Sequence, residues 1–520
     1  MTHRDVVCQP ALRSLLFCLA LGASGCAAAP PPPDAGPAGS DARSPARSDA
    51  QNDAQNDAQI DALMSAYHQH GWFDGSVLVA RRGEVVYRGA FGLANREWGV
   101  PTTVDARYRI ASISKTFTAV LVLRLVELGK VRLDAKLTDY LPDYRKDTGD
   151  RVTIHHLLCH TSGIPDYANL PGFWTDHLGN RMDRGELVKN WMSRDLEFAP
   201  GTGARYNSSA YFLLGLVIEK VTGRRFEDVL FDLVLSPAGM TRSGYDTPGR
   251  LLDKMASGYV ETPFGYERAR HVEIANVFSG GGMYATVDDL YRWDRALATH
   301  KILSPATTET MLKAYAPEPF RKELGFGYGF QVGERKVGSK RVRIAEHGGN
   351  VYGFRGLMTR MLDDGHLIVL LENEGSGSWS GEPYAIVAQL MNILYGEPVV
   401  TPRPRYLPTL GRLIAERGVK EAMARLPGLE GSWSPLSGPN DLNNLGYAYL
   451  QRGKVEEAVE ILKLNIRKYP DDANSYDTLG EIYMVKGDKA LAIENYRRSL
   501  SMDPSNQNAV QMLEKLGEPL

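Results

Sequence analysis

The chain has 520 residues, of which 43% are hydrophobic, so it is long enough for more than one domain and has ample apolar material for a core. Its 60 Lys and Arg residues nearly balance its 62 Asp and Glu residues, which leaves a formal net charge of −2. Because no long basic run accompanies this balance, the sequence argues against nucleic acid as a partner.

The first residues have the pattern of an export signal. Two arginines precede a short apolar stretch over 15–21, which is too short to span a bilayer as a mature helix. Small residues then lead to Cys26, an arrangement that resembles the lipobox of bacterial lipoproteins, with Ala23 where leucine is usual. We expect residues 1–26 to be a lipoprotein-type signal peptide, and lipidated Cys26 to anchor the protein at a membrane of the bacterial cell envelope. The alternative is an ordinary secretory signal that is cut nearby.

Residues 27–58 form a low-complexity segment. They contain a run of prolines, scattered Ala, Gly and Asp, and a near-repeat of Gln-Asn-Asp-Ala. This composition cannot bury a core, so it predicts a disordered linker that holds the folded part away from the membrane. The folded part begins near Ile60, and strands predicted over 76–80 and 84–88 join at Arg82-Gly83 as a hairpin.

A serine and a lysine three residues apart, Ser112 and Lys115, precede a very apolar stretch that ends at Gly129. Apolar residues on nearly all sides predict a helix that is buried on nearly all sides. Residues i and i+3 share one helical face, so the amine of Lys115 can reach the hydroxyl of Ser112. A partly desolvated lysine can take the proton of a serine, and a helix N-terminus offers N–H groups to an oxyanion. The pair is therefore a candidate nucleophile and base, and a helix cap beside a solvated lysine is the structural alternative.

Helical and extended patterns alternate over the rest of this domain. Helices are predicted over 211–221 and 382–394, and Asp364-Gly365 marks a hairpin turn. The later strands are predicted over 342–345, 354–361 and 366–371. Strands at both ends with helices between them predict an α+β domain over 59–400, with one antiparallel sheet built from both ends of that domain.

An internal repeat with an offset of 34 residues follows Pro404. A Leu-Gly pair, a Tyr, a Gly, an Ala and a Pro recur, first as Leu445, Gly446, Tyr449, Gly453, Ala458 and Pro470, then as Leu479, Gly480, Tyr483, Gly487, Ala492 and Pro504. This spacing resembles the tetratricopeptide repeat, in which small residues lie where paired helices touch. A degenerate leading unit around Leu410-Gly411 is expected to support them, because two repeats are fewer than usually fold alone. Residues 404–520 are therefore predicted to be a helical repeat domain that can bind a protein partner.

Two further motifs accompany the Ser-Lys pair. The residues of the three motifs are Ser112 and Lys115, then Tyr206, Asn207 and Ser208, and finally His347, Gly348, Gly349 and Asn350. Together they resemble the serine β-lactamase and penicillin-binding protein superfamily, in the branch of class C β-lactamases, D-Ala-D-Ala carboxypeptidases, D-aminopeptidases and family VIII esterases. The resemblance covers about residues 60–398. It implies a β-lactamase-like antiparallel sheet flanked by helices.

The resemblance also implies a role for each motif residue. Ser112 would be the acylated nucleophile, and Lys115 would assist its deprotonation. Tyr206 would act as general base and then as acid toward the leaving group, which at neutral pH requires a cation, expected to be Lys115, to lower its pKa from about 10. His347 stands at the lysine position of the family's K-T-G strand. The oxyanion hole would be the backbone N–H groups of Ser112 and Asn350, and no cofactor or metal ion is implied.

Two departures from the family pattern bear on the substrate. The asparagine of the Y-x-N motif falls at Ser208, with Asn207 one place early, and a histidine at 347 removes a fixed positive charge. Asn207, Ser208, Gly348 and Gly349 complete the predicted substrate-binding set. Both departures favour an esterase or peptidase acting on a small ester, amide or peptide over an efficient β-lactamase.

We therefore expect an exported serine hydrolase that cleaves ester or amide bonds through an acyl-enzyme on Ser112. The alternative is a catalytically idle lipoprotein scaffold that binds partners through residues 404–520. Three histidines at 155, 156 and 160 could suggest a metal site, but no cysteine pair or carboxylate cluster supports one.

Overall fold

The structure is a computed structural model that describes residues 45–375 and 382–519. The predicted signal peptide with Cys26 lies outside these residues, as does the part of the linker before residue 45. The first helix, α1, covers Pro45–Gln69 and so includes the last part of the predicted linker. Alanine and glutamine recur in that part, and both have high helix propensity.

The strands assemble around one large antiparallel sheet. In chain order they are β1 Gly75–Arg81, β2 Glu84–Phe91, β3 Leu93–Asn95, β4 Val100–Pro101, β5 Tyr108–Arg109, β6 Gly244–Tyr245, β7 Tyr259–Thr262, β8 Gly265–Arg268, β9 Met283–Ala285, β10 Ala316–Pro317, β11 Leu324–Phe326, β12 Gln331–Val337, β13 Lys340–Val351, β14 Phe354–Met361 and β15 His366–Glu372. Eight of them form the central sheet in the order β10-β11-β12-β13-β14-β15-β1-β2. Because β1 pairs with both β15 and β2, the first strands of the domain complete a sheet made by its last ones. This confirms the predicted α+β architecture.

Helices lie between the two groups of strands and beyond the last one. After α1 they are α2 Ser114–Glu127, α3 Leu137–Tyr140, α4 Lys146–Gly149, α5 Ile154–Leu158, α6 Phe173–His177, α7 Arg184–Leu187, α8 Ser208–Thr222, α9 Phe226–Leu230, α10 Ser236–Ala238, α11 Phe278–Gly281, α12 Val287–Ala298, α13 Pro305–Met311, α14 Glu382–Tyr395, α15 Tyr406–Arg417, α16 Val419–Leu429, α17 Pro439–Gln451, α18 Val455–Lys468, α19 Ala473–Lys486, α20 Lys489–Met502 and α21 Gln507–Lys515. In the described part, no helix is both long enough and apolar enough to cross a membrane.

The central sheet is covered on both faces. In β1, Leu78 and Ala80 belong to the core under the helices that separate the two groups of strands, whereas Val77 and Val79 belong to the core on the other face. Side chains of a strand alternate between faces, so two covered faces explain why β1 is apolar at each of these positions. The second core is closed by α14 and by α1 from Ile60 onward.

The helix that follows Ser112 is buried as predicted. Helix α2 packs against α8 and α11, and its side chains from Ser114 to Leu123 are all buried. The ring of Phe117 stacks on that of Trp293 with centroids 4.2 Å apart. Dense packing holds α2 in one position, so a side chain on its first turn has a defined place relative to the sheet.

The C-terminal region is a stack of helix pairs. Helices α17 and α18 form one pair, α19 and α20 form the next, and α15 and α16 precede them. A Cβ atom at Gly446 would lie 1.9 Å from a side-chain atom of Leu462, and one at Gly480 would lie 2.8 Å from the Tyr496 ring. The repeated glycines therefore allow the paired helices to touch, as the 34-residue pattern predicts.

Candidate active site

A cavity of about 1500 Å³ opens where α2, α8 and β13 converge. The predicted site residues that line it are Ser112, Lys115, Tyr206, Ser208, His347, Gly348 and Asn350. They come from three segments far apart in the chain. The fold thus brings most of the predicted set to one place.

Ser112 lies in a single 3-10 turn, Ala111–Ile113, immediately before α2. Ala111 has a φ of 44°, a left-handed conformation that is uncommon for a residue with a Cβ and that clusters at functional sites. Lys115 lies on the first turn of α2, and its Nζ is 3.1 Å from the Oγ of Ser112. The same amine donates to the carbonyl of Gly280 at 2.9 Å. The structure therefore holds the lysine amine against the serine hydroxyl.

Burial changes the protonation of Lys115. Its side chain is 1% exposed, and desolvation lowers its pKa to about 7, with the carboxylate of Asp166 acting in the opposite direction. A charged amine in an apolar site loses hydration that its neighbours do not replace. Near neutral pH a large share of the protein therefore carries a neutral Lys115, which can accept a proton.

Tyr206 lies beside this pair, just before α8. The Lys115 Nζ is 4.9 Å from the centre of the Tyr206 ring. Desolvation raises the pKa of the phenol above its usual value, while its hydrogen bond with Ser112 acts in the opposite direction. The expectation that the pKa of Tyr206 is lowered is therefore wrong, because desolvation of the phenol outweighs the effect that lowers it. Tyr206 is a neutral phenol in the resting site and can donate its proton.

His347 faces the cavity from β13. Its Nδ1–H donates to the carbonyl of Gly348 at 2.6 Å. In the neutral tautomer, Nε2 therefore carries no proton. Desolvation, followed by the charges of Lys115 and Arg321, lowers its pKa to about 3. His347 is neutral at physiological pH, so this position carries no positive charge.

Gly349 allows β13 to approach the nucleophile. A Cβ atom at this position would lie 2.1 Å from the carbonyl oxygen of Ile110 and 3.3 Å from the backbone nitrogen of Ser112. Only a residue without a side chain fits between these backbone segments. The glycine places the next residue, Asn350, on the cavity wall within the β13–β14 ladder.

We expect Gly349→Ala to separate β13 from the turn that carries Ser112. The clash is with backbone, which cannot rotate away, so we expect a loss of about 1–3 kcal/mol in the free energy of unfolding. For the ester hydrolysis expected from the sequence, we expect a roughly 100-fold loss of kcat/KM. Denaturant unfolding and steady-state kinetics measure the two effects. Gly428→Ala is the matched control, because a Cβ at Gly428 meets nothing within 4 Å. Activity of Gly349→Ala equal to that of the control would contradict the required close approach.

Asn207 has a different place from the one predicted. Its Oδ1 accepts a hydrogen bond from the N–H of Ala210 at 2.7 Å, and its Nδ2 donates to the carbonyl of Ile164. The side chain caps α8 and is 2% exposed, which does not fit the predicted substrate contact. The next residue, Ser208, lines the cavity instead, because a one-residue shift at the start of a helix turns a side chain to another face.

His160 and Asp166 contact the segment that carries Tyr206 and Ser208. Sequence reasoning did not assign either residue to the site. The Nδ1 of His160 accepts from the N–H of Asn207 at 3.1 Å, and its ring centre is 4.8 Å from that of Tyr206. The Oδ1 of Asp166 accepts from the N–H of Ser208 at 3.1 Å. Desolvation lowers the pKa of His160 and raises that of Asp166. No local pattern points to these two residues as part of this site, since their contacts with Tyr206 and Ser208 are tertiary.

The histidines that could have suggested a metal do not form a metal site. Among the described residues, no group of three or more His, Cys, Asp or Glu side chains is placed to hold a metal ion. His155 instead lies 2.7 Å from the hydroxyl of Tyr328, through its Nδ1.

Comparisons with known proteins match both parts of the chain. The sequence model of the beta-lactamase family matches residues 57–390, and a tetratricopeptide-repeat model matches 442–466 and 473–506. Penicillin-binding protein 4* of Bacillus subtilis is 31% identical over 64% of this chain and 74% of its own length. Esterase EstB of Burkholderia gladioli is 32% identical over 58% of this chain and 86% of its own length.

A solved structure extends the likeness to three dimensions. The penicillin-binding protein from Bacillus halodurans superposes with a TM-score of 0.55 and 28% identity, over 63% of this chain and 98% of that protein. The family model alone covers more than half of the chain. The chain therefore belongs to the beta-lactamase family of serine hydrolases and carries tetratricopeptide repeats in its C-terminal region.

Proposed function

We propose that the protein is an exported serine hydrolase that cleaves ester or amide bonds through an acyl-enzyme on Ser112. The observation that carries the proposal is the buried amine of Lys115, which is 3.1 Å from the Ser112 hydroxyl and has a pKa lowered to about 7. A neutral amine at this distance can accept the serine proton as the hydroxyl attacks a carbonyl carbon.

Acylation would use the three cavity segments together. As the Ser112 Oγ bonds to the carbonyl carbon, its proton passes to Lys115, and the carbonyl oxygen becomes an oxyanion. The backbone N–H groups of Ser112 and Asn350 are the proposed donors to that oxyanion. Tyr206 gives its phenolic proton to the leaving alkoxide or amine and regains a proton from Lys115, so the acyl-enzyme forms with both groups neutral.

Deacylation would run the same proton path in reverse. A water molecule attacks the acyl carbon, and its proton passes through Tyr206 to Lys115 while the oxyanion forms again. When the tetrahedral species collapses, the Ser112 oxygen leaves and takes back its proton from Lys115. Every proton transfer in this sequence uses groups that line the cavity.

The charges of the cavity favour a substrate without a carboxylate. His347 is neutral, and the guanidinium of Arg321 is paired with the buried carboxylate of Glu346 and lies 3.6 Å from Glu318. Among the described residues that line the cavity, a substrate carboxylate would meet no unpaired guanidinium. Small esters and amides are therefore the proposed substrates, and penicillins, which carry a carboxylate, are disfavoured.

A substrate panel tests this preference. We expect kcat/KM for p-nitrophenyl butyrate to exceed that for benzylpenicillin by at least about 100-fold, because the penicillin must bury an unpaired carboxylate. D-Alanine p-nitroanilide reports on the amide activity in the same assay. Hydrolysis of penicillin as fast as the ester would overturn the preference. Failure of a fluorophosphonate to label well-folded protein would overturn the hydrolase proposal and leave the scaffold alternative.

Export and lipid anchoring at Cys26 remain part of the proposal and are supported by the N-terminal sequence pattern. A bacterial host that expresses the full chain, grown with a radiolabelled fatty acid, tests the anchor. Label that persists in Cys26→Ser would contradict lipidation at that residue.

A further inference from the structure

The hairpin β7–β8 joins the hydrolase domain to the helical C-terminal region. Phe264 lies at its tip, and the Phe264 ring centre is 4.7 Å from that of Tyr449 on α17. The guanidinium carbon of Arg452, just after α17, lies 3.9 Å from the centre of the Phe264 ring. One aromatic side chain is thus held between a second ring and a cation, both from the helical region.

Backbone packing and ion pairs extend this contact along the hairpin. A Cβ atom at Gly411 on α15 would lie 2.5 Å from the carbonyl oxygen of Pro263, so helix and hairpin tip are in direct contact. Arg452 also pairs with Glu267 on β8. Arg405, at the start of α15, pairs with Glu261 on β7. Each strand of the hairpin is therefore tied to the helical region by a charged pair.

The base of the hairpin rests on a turn of the central sheet. Gly353 forms the turn between β13 and β14 with a φ of 84°. A Cβ there would lie 2.7 Å from the Cα of Gly258 and 2.7 Å from the Cβ of Ala269, the residues that flank the hairpin. The N–H of Gly353 donates to the carbonyl of Gly375 at 2.7 Å, and Gly375 in turn donates to the carbonyl of Tyr259 on β7 at 3.0 Å. The turn and the hairpin base form one packed unit.

This turn belongs to the wall of the active-site cavity. Asn350, Val351 and Tyr352, the three residues before Gly353, all line the cavity. The Arg270 guanidinium, which follows the hairpin, lies 5.9 Å from the centre of the Tyr352 ring. Contacts therefore run without interruption from Tyr449 and Arg452, through the hairpin, to the cavity wall.

We propose that the helical C-terminal region sets the position of the cavity wall at 351–353 by holding the hairpin β7–β8. Phe264 and Arg452 are then positioning residues, which act on substrate binding through the turn at Gly353. This inference rests on the proposed function, since the wall belongs to the same site. It also means that, within the region 404–520 that is predicted to bind a partner, the face around Tyr449 is occupied by the chain's own hairpin.

The test is Phe264→Ala in the full chain, with two readouts. Hydrogen exchange of the amides at 351–353 should accelerate about fivefold or more, because the hairpin that packs on this turn is held less firmly. KM for p-nitrophenyl octanoate should rise about fivefold, while kcat and the KM for p-nitrophenyl acetate change less than about twofold, since a short acyl chain does not reach the wall. Phe264→Tyr keeps the ring and should restore both readouts.

Val485→Ala is the matched control, because Val485 is a 63% exposed apolar side chain on α19 of the same region. Arg452→Met is the second variant, which removes the cation and leaves the Phe264 ring in place. Exchange and KM that stay at wild-type values in both variants would overturn the inference. Equal loss of kcat on both esters would also overturn it, because that pattern indicates a general loss of structure. If no ester is hydrolysed by the wild type but the exchange at 351–353 still accelerates, the proposed function fails and the positioning holds.

Discussion

Replacing Ser112 with alanine is expected to abolish covalent labelling by a fluorophosphonate and to lower kcat/KM for ester hydrolysis by roughly 10⁴-fold or more. The reason is that the hydroxyl next to the Lys115 amine is the only proposed nucleophile, and alanine leaves the rest of the cavity intact. Intact-mass analysis measures the adduct, and steady-state kinetics measure the rate. Circular dichroism should show an unchanged fold, since Ser112 lies at the cavity and not in the core.

Ser114→Ala is the matched control for that experiment. Ser114 is also a serine at the start of α2, but its Oγ accepts a hydrogen bond from the N–H of Met283 at 3.2 Å and is buried away from the cavity. The control should still be labelled. A Ser112→Ala protein that forms the adduct as fast as wild type would mean that another residue is the nucleophile, and it would remove the basis of the acyl-enzyme mechanism.

Replacing Lys115 with methionine is expected to act in opposite directions on activity and on stability. The activity should fall by about 10³-fold, because the base is lost while the shape of the side chain is retained. The free energy of unfolding at pH 6–7 should rise by about 2 kcal/mol. The variant no longer buries an ionisable amine, and this gain exceeds the loss of the hydrogen bonds to Ser112 and Gly280. Chemical denaturation and ester kinetics on the same preparations measure both.

The pH dependence follows from the direction of the Lys115 shift. The pKa of Lys115 is about 7 in the folded protein, against the ordinary 10.5 of a solvated lysine side chain, so between these values the unfolded chain holds a proton that the folded one lacks. Below pH 7, burying the charged Lys115 amine therefore lowers the free energy of unfolding by its full amount. This penalty disappears as the pH rises to about 10.5.

Wild-type kcat/KM should rise through pH 7 to a plateau, and the stability gain in Lys115→Met should shrink toward pH 10. Lys130→Met, at an exposed lysine, is the control, and a Lys115→Met variant no more stable than this control at pH 6 would contradict the buried neutral amine.

The local elements of the site were predictable because they depend on short-range geometry. Ser112 and Lys115 meet since residues three apart on one helical turn share a face, whatever the rest of the chain does. The apolar strands, the hairpin turn at Asp364-Gly365 and the 34-residue repeat are likewise patterns that neighbouring residues carry. Over 45–58 the low complexity favours disorder while the alanine content favours a helix, and the structure has a helix there.

The placement of Asn207 could not be predicted from its motif. Its amide caps α8 through Ala210, which is local, and donates to Ile164, which is not. The Ile164 contact exists only because the segment that contains Ile164 and Asp166 folds back against the start of α8. A sequence pattern records which residue types are present, and it does not record which of two adjacent side chains faces the cavity.

The sequence by itself determined the α+β architecture and the repeat, because the periodicity of neighbouring residues carries that information. Its three motifs gave the resemblance to the family, and with it the candidate Ser-Lys-Tyr-His set. Only the tertiary structure decided the protonation of that set. Burial of Lys115, Tyr206 and His347 depends on residues distant in the chain. It lowers the pKa of Lys115 to about 7, so that a large share of this amine is neutral near that pH, and it keeps Tyr206 and His347 in their neutral forms. The tertiary structure also placed Phe264 against Tyr449, a contact between distant parts of the chain that no local pattern contains. Electrostatic environment and long-range packing are properties of the folded chain, which is why they appear only there.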